Sequence, residues 1–109
     1  MRLNFFRRKT ESKIEILGKE VQSLIDAEFQ KVNYKPNNGS PLNQLGMRNG
    51  FEIISEFNSE GAYEIAFEHI LYMIQETNIM LGKSASELII ELSERMNIPV
   101  EHIQNQFNN

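Results

Sequence analysis

The chain contains no cysteine. Disulfide staples, thiolate metal sites and thiol nucleophiles are therefore excluded, and an intracellular address is the expectation. No run approaches the eighteen or so apolar residues needed to span a bilayer. The opening MRLNFFRRKTE has too short an apolar core, followed by charge, to read as a signal peptide. The expected location is the cytoplasm. Histidine is scarce as well: His69 and His102 are the only two, and neither has an acid three positions earlier, as helical Glu-x-x-His metal pairs require. No metal or cofactor is expected. No serine stands in a nucleophile elbow, and the glycines at 39, 46, 50, 61 and 82 form no phosphate-cradling loop. Catalysis has no support in these residues, and the chain is read as a non-enzyme.

The shortage with the largest consequence is that of cations. Between Phe51 and Gly82 there are six glutamates and no lysine or arginine. Residues 1–48 carry a net +4 and the remainder −8, which sum to the −4 of the whole chain. The second half should repel nucleic acid and attract a cationic partner. Glu52, Glu56, Glu60, Glu64 and Glu68 recur at every fourth position. Like charges at that spacing oppose a helix by a few tenths of a kcal/mol each, and most surfaces relieve this with interspersed lysine. A solvated helix face and a partner-facing surface both remain open readings of this ladder.

At 109 residues and 40% hydrophobic, the chain fits one domain, 1–109, able to bury a single core. Ile14, Leu17, Val21, Leu24, Ile25 and Phe29 recur at steps of three and four and predict a first helix, capped by Thr10 or Ser12. Residues 1–9 are read as a flexible lead-in. NYKPNNGSPLNQ predicts a loop, taken as residues 34–44, because no helix tolerates that density of proline, glycine and asparagine. Leu42, Leu45, Phe51, Ile54 and Phe57 resume the helical spacing, so a second helix begins between Pro41 and Gly50, with Gly46 and Gly50 weakening its early part. After a turn with capping groups at NSEG, Tyr63, Ala66, Phe67, Ile70, Leu71 and Ile74 form the apolar face of a third helix. Glu64, Glu68, Tyr72 and Gln75 fall on its opposite face. Ser84 and Glu87 are spaced as a capping box for a fourth helix with Leu88, Ile89, Leu92 and Met96 buried. Pro99 suits the first position of a short final helix held by Val100, Ile103 and Phe107. The fold class expected is all-α, a single-domain bundle of four to five helices.

FFRRK places two aromatics before three cations and could meet an anionic membrane or a phosphate backbone, although one short signal anchors only marginally. Residues 59–98, SEGAYEIAFEHILYMIQETNIMLGKSASELIIELSERMNI, carry a more specific pattern. Gly61, Ala62, Tyr63 and Glu64, then Ala66 flanked by apolar residues, Glu68, and a helix ending in Glu76 before Asn78–Ile79 resemble the corresponding segment of MafI-type immunity proteins. Ala62 stands where that family commonly has an acid. The resemblance implies a small helical antidote that binds and neutralises a cognate secreted polymorphic toxin, RNase-type toxins with basic surfaces being common partners. On that view Glu52, Glu56, Glu60, Glu64, Glu68 and Tyr72 form the partner-binding surface, with no nucleic acid or membrane involved. The alternative is a non-enzymatic helical adaptor or regulatory protein, self-associating or peripheral to a membrane through FFRRK.

Overall fold

The computed structural model describes residues 2–107, with side chains described from Lys9 to Phe107. Four α-helices account for most of it: α1 (Arg2–Lys31), α2 (Gly50–Ser59), α3 (Tyr63–Gln75) and α4 (Lys83–Met96). Short 3-10 helices at Pro41–Asn43 and Glu101–Gln106 complete an all-α single-domain bundle. Among the described residues there is no strand, only an isolated bridge between Leu81 and Phe107. No helix there is long and apolar enough to cross a membrane.

α1 runs nearly the whole 49 Å length of the molecule, since thirty residues at ~1.5 Å each span about 45 Å. It starts at Arg2, so the stretch read as a flexible lead-in is continuous helix and Thr10 is an interior residue, not a cap. Arg2 to Leu17 contain neither proline nor glycine, and a helix once nucleated extends through such residues at little cost. Thr10 is buried and its hydroxyl has no hydrogen-bond partner. The side chains of Phe5, Phe6, Arg7 and Arg8, proposed to meet a membrane or phosphate, lie outside those described.

α3 is the centre of the bundle. It packs on α1, α2 and the C-terminal 3-10 helix, and Ala66, Phe67, Ile70, Met73 and Ile74 are fully buried. The predicted face is the observed one, with Met73 added because neighbours enclose the helix on more than one side. Ile14, Leu17, Val21 and Ile25 of α1, Ile54 of α2, and Ile89 and Leu92 of α4 close the same core. Gln106 donates from Nε2 to the carbonyls of Ile74, Thr77 and Ile79 at 2.7–3.0 Å, tying the C-terminal segment to the end of α3 and the turn that follows it.

Three expected helix ends are different in the structure. α4 begins one residue before the anticipated cap, with Gly82 as N-cap and no side-chain cap bond, so Ser84 and Glu87 form no capping box. Ser86, buried, instead returns its hydroxyl to the Gly82 carbonyl at 3.0 Å. α3 starts after Ala62 without a side-chain cap, and Ser59 of the NSEG turn donates back to the Glu56 carbonyl. The last helix is 3-10 and starts at Glu101, two residues past Pro99, while Val100 and Ile103 are buried as anticipated.

α1 and α4 are joined by a charged seam. Glu91 pairs with Lys13 across the helices and with Arg95 one turn on at 3.1 Å. The hydrogen bond from Lys13 holds the Glu91 carboxyl below its usual 4.5; the charges of Lys13, Arg95 and Lys9 add to this, against a desolvation that raises it. A lowered folded-state pKa makes the stabilisation present above 4.5 and lost as pH falls through the folded value. Glu91→Gln should therefore lose less stability than the natural chain as pH falls below 4.5 in urea melts. The difference should stay below about 1 kcal/mol, since the carboxylate is 38% exposed. Parallel pH profiles for the two proteins would show that the seam contributes nothing.

Candidate functional site

The five glutamates form an unbroken count of four in sequence, but the chain turns at Glu60–Ala62, where Gly61 has φ +81. The ladder is consequently two rows on two packed helices: Glu52 and Glu56 on α2, Glu64 and Glu68 on α3, with Glu60 capping α2 between them. All five are exposed. Among the described residues none of their side chains makes an ion pair or a hydrogen bond. The apolar stripes of the two helices dictate this, because Ile54 on α2 and Ala66, Phe67 and Ile70 on α3 turn inward and leave these positions to water.

The two α3 acids border grooves. Glu64 lines one of about 520 Å³ with Thr10, Tyr63, Ile65 and Arg95. The fold thus brings a cation from α4 beside the first acid of α3, which the sequence interval 51–82 did not reveal. Glu68 lines another, of about 310 Å³, with Leu71, Tyr72, Gln75, Ile98, Pro99 and His102. Among the described residues Glu52, Glu56, Glu60 and Glu68 share neither a groove nor an ion pair with a lysine or arginine.

Tyr72 has a different task from its four-residue spacing. Half-buried, it donates its hydroxyl to the Leu45 carbonyl at 3.1 Å and to Gln44 Oε1 at 3.2 Å. Burial, and secondarily the charge of Glu76, push its pKa above 10.0, so the phenol keeps the proton it donates at neutral pH. His69, one turn earlier on the same helix, bonds through Nε2 to the Gly46 carbonyl at 2.9 Å, and its ring lies 5.5 Å from that of Tyr72. His102 is exposed on the C-terminal 3-10 helix. The histidines are not brought together with acids into a metal cage: among the described residues no group of three or more such ligands occurs.

The expected start of helix two, between Pro41 and Gly50, is met at its far limit, and the departure lies in the residues before it. α2 begins only at Gly50, and Leu45, assigned to its apolar stripe, is 92% exposed on a loop. Gln22 of α1 organises the junction: its Oε1 accepts the Phe51 N–H at 2.8 Å, capping α2 from outside, and its Nε2 donates to the Met47 carbonyl at 3.1 Å. Nothing local predicts these bonds, which join residues 25 and 29 positions apart.

Compared with family models, with curated proteins and with solved structures, the chain finds no match.

Proposed function

We propose that this chain is an antidote protein that binds and neutralises a basic toxin domain through the acid-bearing faces of α2 and α3. The observation that carries the reading is the pair of glutamate rows, Glu52 with Glu56 and Glu64 with Glu68, exposed and unengaged on two adjoining helices. The resemblance of residues 59–98 to MafI-type immunity proteins supports the same reading and names the partner class, a secreted polymorphic toxin of RNase type. Such an antidote acts by contact alone, in the cytoplasm of the cell that makes it. Carboxylates spread over two helices offer a polyanion-like surface to a site built for a phosphate backbone. Complementarity of this kind mainly accelerates encounter and rejects wrong partners, while a few desolvated contacts set the lifetime of the complex.

The test is binding and protection with the product of the neighbouring reading frame. Joint reversal of Glu52, Glu56, Glu64 and Glu68 to lysine should lower the association rate by roughly 10- to 1000-fold at low salt and remove protection from the toxin. The fold should survive, because exposed substitutions typically change stability by within about 0.5 kcal/mol. If the natural chain neither binds nor protects, or the reversed one does both undiminished, the reading is wrong.

A further inference from the structure

Leu45 is the most exposed of the large apolar side chains described, at 92% against 56% for the next, Ile16. A leucine on a free loop would need no explanation, but this loop is not free. Each residue from 44 to 47 is held by a side chain of α1, of α3 or of Glu76, the residue that caps α3. Gln44 Nε2 donates to Glu76 Oε1 at 2.9 Å, the Leu45 carbonyl accepts from Tyr72, the Gly46 carbonyl is bound by His69, and the Met47 carbonyl accepts from Gln22. Gly46, at φ +83, makes the bend that leaves the preceding side chain outside. Fixing a backbone this thoroughly while leaving its leucine in water gains nothing for the core.

The surroundings describe what the leucine would meet. Glu76 is engaged with Gln44 at the edge of the loop, and Glu68 lies one helical turn before Tyr72 on α3. Arg48, three residues past Leu45, is turned over the Tyr34 ring at 5.0 Å from its centroid. The knob is therefore apolar with the Glu76 carboxylate at the edge of its loop, and Glu68 continues the acid along the helix that carries Tyr72. We propose that Leu45 is the apolar anchor of the partner face: it enters an apolar pocket on the toxin domain, and lysines or arginines rimming that pocket meet Glu68 and Glu76. This rests on the antidote reading and adds to it the contact that sets the lifetime of the complex, where the glutamate rows set its rate of formation.

The experiment measures affinity by calorimetry for the natural chain, Leu45→Ala and Leu45→Asp, using the purified product of the neighbouring reading frame as the probe. Leu45→Ala should weaken binding roughly 10- to 100-fold, the worth of burying one leucine side chain, and Leu45→Asp by more. Most of the loss should appear in the dissociation rate. The thermal midpoint should not move for either variant, because the side chain has almost no contacts to lose within the chain. If the natural chain does not bind, the antidote reading fails and the anchor with it. If it binds and both variants stay within about threefold, the anchor is overturned and the antidote reading stands. A natural chain that sediments as a dimer and a Leu45→Asp chain that sediments as a monomer would assign the knob to a second copy and overturn the proposed occupant.

Discussion

Replacing Phe67 by alanine should destabilise the protein by roughly 3–5 kcal/mol. Phe67 is fully buried on α3, the helix that α1, α2 and the C-terminal 3-10 helix enclose. Its removal takes away the transfer free energy of an aromatic ring and leaves a void that surrounding helices cannot readily fill. Total stabilities of small domains are about 5–15 kcal/mol, so this one change removes a large share. The thermal midpoint should fall by roughly 15–30 °C. Ile65→Ala, two residues away and 49% exposed, is the matched control and should cost about 0.5 kcal/mol or less. A loss at Phe67 below about 1 kcal/mol in urea melts would mean that α3 is not the hub described.

Gly46→Ala is expected to cost roughly 2–3 kcal/mol despite adding one methyl group to a loop. At φ +83 an L-residue bears about 1–2 kcal/mol of backbone strain. The new Cβ would also lie 2.5 Å from His69 Cε1 and 3.0 Å from Nε2, so the ring must swing away and its bond to the Gly46 carbonyl, worth about 1 kcal/mol, is lost. The two contributions can be separated. In a His69→Ala background only the strain remains, and the alanine should be less harmful by at least about 1 kcal/mol. An equal cost in both backgrounds would show that the ring does not hold the loop.

What the sequence revealed and what it hid divide along a physical line. The buried face of α3 was legible from the spacing of Ala66, Phe67, Ile70, Leu71 and Ile74, because helical periodicity is a property of neighbours in the chain. The exposure of Glu52, Glu56, Glu64 and Glu68 followed from the same periodicity. Leu45 was misplaced for a related reason: it continued the three-to-four spacing from Leu42, and only the positive φ of Gly46 and the late start of α2 show that the spacing there is accidental. Capping was the least legible feature. Ser84 and Glu87 satisfy a local rule that Gly82 pre-empts, and the true cap of α2 comes from Gln22, 29 residues before Phe51. The groups that fix the loop, Gln22, His69 and Tyr72, look like ordinary polar surface in the sequence, since their partners are backbone carbonyls that any residue supplies. Lone half-buried polar residues that have no charge partner, on helices flanking a glycine-containing loop, are the signal that could have pointed to them.

The pinning of residues 44–47 has a thermodynamic corollary. Ordering a mobile segment at an interface subtracts from affinity, about 1–2 kcal/mol for each backbone residue fixed. Here that ordering is complete when the bundle folds, so under the proposed reading a partner closing over Leu45 would have mainly to desolvate it. The hydroxyl of Tyr72, the imidazole of His69 and the amide of Gln22 would thereby act on the proposed recognition at one remove, through freedom the loop no longer has to lose.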